Sequence, residues 1–550
     1  MSNARGLFCA VIVALSCGSP GPPSASAAAD VVHPTQSAKG SVTVTIDAAR
    51  TSGPADVIGD LIGSQYAPFT FDAKHADPWG VEAWNEIGFN IGDIALFNFE
   101  GTNPYTDAGK IVGIHVSRGA DGTLNLDFAD FDRQIRFLRD VLHVKRIDFT
   151  AWGTPKALAD PTAGEFYFFH APRSYAEWND ILARAVRHIS TDLDLKGATY
   201  KPWTEPDTAW YWRGHAHPGQ IVTRGTDPAK MRALLVRQPY ILDDYVEKYV
   251  NDWKVIKAAD PSAKVSGTFN VWSKALPMSG VAFTLDDFLD RLDGYNKTHP
   301  ESPAGIDEIA YQDYNWRGNG LAEGVVAANA LVRKHHLPAD IPLVLTGWNQ
   351  DMKTDSNLPR RAAYVAANII GELTPHGRTR TLARAYLWPF DYDYGMPIAQ
   401  VVIPYEATSY SGADGVGDAF AVPAVTGYQK RPMHAALLLL ARMKPGELLS
   451  ASCDDHDVRV LAAAQPDGRI LAVMTNDTAG QRTISLRLPG SRFAGRAADL
   501  TLQRVDATHS ANGTGLEAGA EQSVAIDGQG QVLRFEISPW SVVGIGLRLK

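Results

Sequence analysis

The feature that most constrains the fold is an alternation of short apolar segments with segments of helical length, which repeats from about residue 60 to residue 443. Residues 143–151 (HVKRIDFTA) are typical of a strand, and residues 175–193 follow as a helix. The same succession recurs in the strand at 342–346 and the helix at 361–373. Strands and helices that alternate in series build a parallel sheet. Roughly six to eight such units favour a closed (β/α)8 barrel over an open sheet.

The last part of the chain, residues 444–550, has short alternating runs divided by Gly and Asp-Gly turns. The runs lie at 458–463, 469–474, 483–488, 532–537 and 542–549. They predict an all-β domain, most simply a β-sandwich. The segment 41–46 (SVTVTI) also alternates and predicts a strand that could join this sandwich. The predicted fold class is α/β: a linker and strand at 30–59, a (β/α)8 TIM barrel at 60–443, and a C-terminal β-sandwich at 444–550.

The first 29 residues have the features of a secretory signal peptide. The apolar run at 7–16 (LFCAVIVALS) is too short to span a bilayer, and SASAAAD at 24–30 offers the small residues of a cleavage site. We therefore expect a secreted or periplasmic protein. An alternative is lipid attachment at Cys17, which follows the apolar run. No other segment has the roughly 18 uninterrupted apolar residues of a membrane span, so none is expected.

Composition and short motifs argue against several function classes. Acidic residues (61) outnumber basic residues (52), so nucleic acid is not an expected partner. The glycine-rich run at 411–417 (SGADGVG) lacks the strand-to-helix setting of a nucleotide-binding loop, and no cofactor is predicted. His215 and His217 are spaced like a metal pair, but the sequence shows no third ligand, and no metal is predicted. Nothing in the sequence indicates an oligomeric state.

A carboxylate follows one predicted strand in a strongly aromatic setting. The strand ends at Trp203, and Thr204-Glu205-Pro206-Asp207 comes directly after it. Active sites of (β/α)8 barrels lie at the carboxyl ends of the strands. Apolar surroundings raise the pKa of a carboxyl group and keep it protonated near neutrality, as a general acid requires. Glu205 is therefore the candidate acid, and a glutamate in a structural turn beside core aromatics is the competing interpretation.

Several motifs follow one another in a fixed order. They are WTEPD at 203–207 with WYW at 210–212, DEIAYQDY at 307–314, LTGWN at 345–349, WPFD at 388–391, GYQKRPMHA at 427–435 and SPWSVV at 538–543. This succession resembles glycoside hydrolase family 39, whose members are retaining barrel glycosidases with an accompanying sandwich. The resemblance implies an O-glycosyl hydrolase acting on an oligosaccharide or polysaccharide, with Glu205 as the acid. It also aligns Gly347 with the family's nucleophile.

This sequence departs from the family pattern at three positions. Gly347 stands in place of the nucleophilic carboxylate, Thr204 in place of an Asn, and Gln312 in place of a His. A retaining mechanism needs a second carboxylate about 5–5.5 Å from the acid, which glycine cannot supply. An inverting mechanism needs only a base about 6.5–9.5 Å away, with water between the two groups.

Four hypotheses therefore stay open. The protein could be an inverting glycosidase, a glycosidase in which a substrate group is the nucleophile, a retaining enzyme that uses another Asp, or an inactive glycan-binding protein that kept the cleft. The candidate bases are Asp313, ranked first because it lies in a strand-end motif, then Asp351 and Asp391. Each of the three is equally interpretable as an ordinary hydrogen-bonding group near the barrel mouth. Side chains predicted to bind the glycan are Thr204, Trp210, Trp212, Gln312, Tyr314, Trp348, Asn349 and Trp388.

Overall fold

A computed structural model of the protein describes residues 41–64, 73, 78–97, 113–151, 153–207, 212–217, 239–267, 269, 282–313, 320–348, 358–374, 382–387, 398–402, 425–490, 493–510 and 515–550. The predicted signal peptide and Cys17 lie outside these residues. None of the helices in the described part combines the length and the apolarity that a membrane span needs.

The strands divide between a parallel barrel, a large mixed sheet and two small two-stranded sheets. In chain order they are β1 (Val42–Pro54), β2 (Gly63–Ser64), β3 (Ile91–Ala95), β4 (His115–Arg118), β5 (Leu124–Asp127), β6 (Arg146–Thr150), β7 (Thr199–Lys201), β8 (Lys264–Val265), β9 (Ile309–Asp313), β10 (Leu343–Trp348), β11 (Arg384–Leu387), β12 (Ile398–Val402), β13 (Val425–Lys430), β14 (Glu447–Cys453), β15 (Val458–Ala464), β16 (Ile470–Asn476), β17 (Arg482–Arg487), β18 (Ala497–Val505), β19 (Ala520–Ala525), β20 (Gln531–Ile537) and β21 (Ser541–Leu549).

The helices follow the barrel strands. They are α1 (Ile58–Leu61), α2 (Pro78–Ile87), α3 (Ala129–Arg136), α4 (Tyr175–Arg187), α5 (Pro239–Ala259), α6 (Leu285–Thr298), α7 (Gly320–Lys334), α8 (Leu358–Leu373) and α9 (Pro432–Ala441). One π-helical turn extends each of α3 and α4, at Phe137–Val141 and His188–Asp192. Helix α4 begins where the Ser174 side chain accepts a hydrogen bond from the backbone N–H of Glu177, which supplies one of the partners that a helix start lacks.

Eight parallel strands form the barrel, in the order β8-β7-β6-β3-β2-β11-β10-β9. Bridges from Ser266 to Glu308 and from Phe269 to Tyr311 connect the two ends of this order, so the sheet closes on itself. In chain order the eight barrel strands are β2, β3, β6, β7, β8, β9, β10 and β11. The predicted (β/α)8 barrel is thereby confirmed, and β7 is its fourth strand, after which the candidate acid comes.

The second sheet has nine strands in the order β19-β18-β21-β16-β15-β14-β1-β17-β20. Strand β20, at one end of the order, also lies against β19 and β21 near the other end. The sheet therefore folds back over its own apolar core, as a sandwich does. The N-terminal strand β1 belongs to this sheet, because it pairs antiparallel with β14 and parallel with β17.

The barrel and the second sheet share an interface made by α8, α9 and β21. A Cβ placed on Gly544 in β21 would lie 2.4 Å from Leu439 in α9, so only glycine permits this close approach. Apolar side chains of the second sheet, among them Val473 and Val542, belong to the same buried cluster as the barrel core. The two units are therefore packed against each other through continuous apolar contacts.

Candidate active site

Glu205 lies in the loop that follows β7, at the carboxyl end of the fourth barrel strand. Its backbone adopts a φ of 45°, in the left-handed region that residues with a Cβ rarely enter. The next residue, Pro206, disfavours the right-handed helical conformation at position 205. A non-glycine residue held in this region costs on the order of 1–3 kcal/mol, and such residues cluster at functional sites.

The Glu205 side chain is buried, with a relative exposure of 7%. Burial, followed by the negative charge of Asp207, raises its pKa from 4.5 to about 8, although a side-chain hydrogen bond with Gln312 lowers that pKa in part. Because this pKa lies above neutrality, most copies of the carboxyl group carry a proton at pH 7. A protonated carboxyl group at a strand end is suited to donate a proton to a departing oxygen.

Gln312 and Gly347 are neighbours on the sixth and seventh barrel strands. Gln312 in β9 pairs in register with Gly347 in β10, just after an irregularity at Leu345. Ala310, two residues before Gln312, belongs to the small apolar cluster inside the barrel. Side chains two residues apart on a strand share a face, so Gln312 also points inward, where it is hydrogen-bonded to Glu205. Gly347 thus lies beside the residue that binds Glu205 and contributes only backbone there.

The Asp313 side chain does not point into the barrel as the Gln312 side chain does. It follows Gln312 and faces the other side of the strand, because successive side chains alternate. A Cβ placed on Gly324 in α7 would lie 3.3 Å from the Asp313 Oδ2 atom. Burial and then the charge of Asp313 raise the pKa of Tyr364 in α8. The carboxylate therefore faces the helices and not the barrel axis, which corrects the ranking of Asp313 as the first candidate base.

The tryptophans near Glu205 that the structure describes are core residues. Trp203 and Trp212 pack edge to face with their ring centroids 4.8 Å apart, and both have no exposed surface. The Trp212 Nε1–H donates to the backbone oxygen of Ile241 at 3.0 Å. Trp348 is equally inaccessible. Stacking on a sugar needs an open ring face, which neither Trp212 nor Trp348 offers. A role of these two residues in glycan binding stays a prediction.

Two loops above the barrel are joined backbone to backbone. The Arg213 N–H donates to the oxygen of Phe169 at 2.9 Å, and the Ala171 N–H donates to the oxygen of Gly214 at 2.8 Å. The Arg213 guanidinium lies 5.2 Å from the centre of the Phe169 ring. Burial lowers the pKa of Arg213 to about 9, and burial together with the Arg213 charge lowers the pKa of His170 to about 3. His170 is therefore a neutral imidazole at this end of the barrel.

Charged side chains fill the lower barrel interior. They are Asp93, Arg146, Asp148, Lys201, Glu308 and Arg384. Arg146 lies 3.1 Å and Arg384 3.6 Å from the oxygens of Asp148, which also accepts a hydrogen bond from the Tyr386 hydroxyl. Lys201 lies 3.2 Å from Asp93. Opposite charges are thus paired in this layer, whereas Glu205 above it is kept neutral.

The remaining sequence-predicted residues have varied positions. Thr204 is buried at 4% exposure, directly before Glu205. The following lie outside the described residues: Trp210, Tyr314, Asn349, Asp351, Trp388 and Asp391. Sequence reasoning did not select Asp207, His170 or Arg213. Asp207 lies in the same motif as Glu205 and Arg213 follows the aromatic run, but only the structure shows that they are buried beside other charged groups.

Three groups among the described residues bring histidine and carboxylate atoms together, as a metal site requires. They are His215 with Asp244 and Glu247, His335 with Asp286 and Asp290, and His456 with Asp455 and Asp457. None of these groups includes Glu205.

A closed (β/α)8 barrel packed against a β-rich domain is an architecture that solved glycoside hydrolases share, and in this chain a buried acid follows the fourth barrel strand. Solved structures agree. The GH39 enzyme from Xanthomonas axonopodis pv. citri aligns with a TM-score of 0.61 at 16% identity, covering 94% of this chain and 99% of that chain. A monomeric β-xylosidase from Caulobacter crescentus aligns with a TM-score of 0.60 at 16% identity, covering 92% and 99% of the two chains.

A glucosidase from Croceicoccus marinus is similar as well, with a TM-score of 0.58 and 14% identity over 93% of this chain and 100% of that chain. In sequence, by contrast, no protein-family model matches the chain. No curated protein matches it either. At these identities the solved structures show a shared fold, and the resemblance to family 39 is a resemblance of architecture.

Proposed function

We propose that this protein is a glycoside hydrolase that cleaves O-glycosidic bonds of an oligosaccharide or polysaccharide, with Glu205 as the general acid. The observation that carries the proposal is the burial of the Glu205 carboxyl group at the end of the fourth barrel strand, which raises its pKa to about 8. Cleavage of a glycoside requires a proton on the leaving oxygen, and a carboxyl group with a raised pKa supplies it near neutral pH.

The choice of the second catalytic group depends on position 347, where glycine supplies no carboxylate. Gly347 lies next to Gln312, which in turn is hydrogen-bonded to Glu205, so no side chain at this position reaches the glycosidic carbon. An inverting reaction fits this arrangement, because a water molecule must stand between the base and the sugar. Asp351 and Asp391 are the bases that we propose, since Asp313 faces the helices.

The test is product release from a panel of plant and bacterial glycans by the purified protein and by Glu205→Gln. We expect products from the wild type and none from the variant. Asp313→Asn is the matched control: it also replaces a carboxylate with an amide in this region, and it should retain turnover. Loss of activity in Asp313→Asn would make Asp313 a candidate base again. Activity of Glu205→Gln equal to that of the wild type would refute Glu205 as the acid.

The configuration of the first product then separates the mechanisms. Nuclear magnetic resonance of the anomeric proton early in the reaction should show the inverted anomer. A retained anomer would mean that another carboxylate, or a group of the substrate, attacks the anomeric carbon in place of the missing side chain at position 347.

The second candidate function is an inactive glycan-binding protein, which the glycine at position 347 specifically favours. Such a protein would bind a glycan equally well as wild type and as Glu205→Gln, and neither form would release products. Formate provides a further distinction, because a small carboxylate can act where a side chain is missing. Turnover of an aryl glycoside only with added formate would indicate an acid without its partner.

We also propose that the protein is exported through its N-terminal segment. The support is the apolar run at 7–16 followed by small residues at 24–30. The mass of the protein recovered outside the cytoplasm should correspond to cleavage near residue 29. A mass that retained the segment and carried a lipid would favour attachment at Cys17.

A further inference from the structure

Four side chains at the barrel mouth form a group with the donors of a metal site. His215 and His217 come from the loop that follows β7, and Asp244 and Glu247 project from one face of α5, three residues apart. The His215 Nε2 lies 3.0 Å from the Glu247 Oε2, and the His217 Nε2 lies 3.4 Å from the Asp244 Oδ2. Ligand atoms of His215, Asp244 and Glu247 all lie within 4.8 Å of one another.

Two of these distances, 3.0 Å and 3.4 Å, are close to the edge of a tetrahedral zinc site. Zinc binds histidine nitrogen and carboxylate oxygen at about 2.0–2.2 Å, so neighbouring donors in a tetrahedron are about 3.3 Å apart. Two imidazoles and two carboxylates also suit Zn²⁺ better than Ca²⁺ or Mg²⁺, which prefer oxygen ligands alone. The side chains of His215, His217 and Glu247 are 40%, 38% and 51% exposed, so an ion can enter from solvent.

A second observation concerns Tyr175 at the start of α4. Its hydroxyl group is buried and makes no hydrogen bond with any described residue. Its ring lies edge-on to His215, with the centroids 6.0 Å apart. A buried hydroxyl beside His215 that has no partner among the described residues is suited to bind a water molecule or ligand held by an ion.

The backbone already holds the group together. The His215 N–H donates to the Asp244 Oδ2 at 2.7 Å, which leaves the other lone pairs of that carboxylate for a metal. Gly214 has a φ of 65°, and a Cβ there would lie 2.2 Å from the same oxygen. This glycine therefore lets the loop approach α5 closely.

We propose that His215, Asp244 and Glu247 bind one Zn²⁺ ion, and that His217, which lies outside this close group but contacts Asp244, turns to become the fourth ligand. The ion fixes the loop of residues 212–217 to α5 and so supports the wall beside Glu205, because the same loop contains the buried Trp212 and Arg213. The proposed role is structural, and the proposal does not depend on glycan hydrolysis.

The test is calorimetric titration of chelator-treated, dialysed protein with Zn²⁺ alone. We expect one ion per chain at this site and a higher melting temperature with saturating Zn²⁺. The double variant His215→Ala/His217→Ala should bind Zn²⁺ at least about tenfold more weakly and lose that rise in melting temperature. Glu247→Gln, at an exposed position, should also weaken binding without affecting the fold.

His299→Ala is the matched control, because it removes an exposed imidazole outside the group and should bind Zn²⁺ like the wild type. His456→Ala separates this site from the one with Asp455 and Asp457. Equal Zn²⁺ binding by the wild type and the double variant would overturn the proposal. So would loss of the wild-type binding in His456→Ala alone, or the absence of any Zn²⁺ binding by the wild type.

Discussion

Glu205 and Asp148 are two carboxyl groups buried in the same barrel, and their protonation differs. Burial raises the pKa of Glu205 to about 8, and the charge of Asp207 acts in the same direction. Burial also acts to raise the pKa of Asp148, but the positive charges of Arg384, Arg146 and Lys201 outweigh it and hold that pKa below its usual value. Removal from water is therefore common to both groups, and neighbouring charge decides which of them is ionised.

The difference divides the barrel into two layers with separate tasks. Around Asp148, opposite charges neutralise one another and the strands are held by ion pairs at 2.6 to 3.6 Å. Around Glu205, burial, the charge of Asp207 and an amide partner in Gln312 leave an acid that can give up a proton. Proton donation requires the second environment, because a carboxylate paired with two guanidinium groups has no proton to donate.

The largest expected effect concerns turnover. Glu205→Gln keeps the size of the side chain but removes its transferable proton, so hydrolysis should fall about 10²–10⁴-fold. The rate on the best substrate of the panel, measured at pH 7, checks this. A loss of similar size in Asp148→Glu, with an unchanged fold, would mean that the two layers do not have separate tasks.

The next effect concerns stability. Asp148→Asn removes the carboxylate that Arg384 and Arg146 share, although Glu308 and Asp93 remain in the layer. Breaking a buried pair of this kind costs about 3–5 kcal/mol of unfolding free energy. Denaturant unfolding of the variant and of the wild type measures this loss of unfolding free energy. Glu205→Gln is the control and should lose no stability at pH 7. Equal stability of the two variants would contradict the difference between the environments of Asp148 and Glu205.

A pH-dependent effect of a few kcal/mol should follow from the raised pKa of Glu205. A carboxyl group whose pKa rises from 4.5 to about 8 on folding contributes stability that is complete below pH 4.5 and is lost as the pH rises through 8. Glu205→Gln, which has no such group, should therefore be more stable than the wild type at pH 9 and nearly equal to it at pH 4. Thermal unfolding at both values tests the sign.

The smallest expected effects are shifts in the pKa of Glu205. Asp207→Asn removes a charge that raises the pKa of Glu205, so the alkaline limit of activity should move down by roughly one pH unit. Gln312→Leu removes a hydrogen bond that lowers this pKa, so the limit should move up. The pH dependence of kcat/KM reports both. Shifts in the same direction would show that the two residues do not act through the charge of Glu205.

Much of the architecture could be predicted from the chain alone, because apolar strands and amphipathic helices have distinct periods. The predicted strand at 342–346 is found as β10, and the helix at 361–373 as α8. Strand β19 was not predicted, since its side chains are mostly exposed and show no alternation. The strand β2 has only two residues, too few to produce a pattern.

The site was harder to predict than the fold. The position of Glu205 could be predicted from the loop after a strand, but the direction of Asp313 depends on the register of β9, which the sequence does not reveal. The layer around Asp148 was also missed, because its charges come from strands far apart in sequence and are recognisable only once the barrel closes. The carboxylates that approach His215 come from a helix about 30 residues away.

The pairing of β1 with the second sheet has a consequence during synthesis of the chain. The backbone N–H of Thr43 donates to the side chain of Asp454, a partner 411 residues further along. At roughly 5–20 residues per second, a ribosome needs about 20–80 s to make the intervening chain. During that time the whole barrel emerges while β1 still lacks both of its neighbouring strands. The edges of the nascent N-terminal strand therefore stay unpaired during this time, and an unpaired strand edge can pair with other chains.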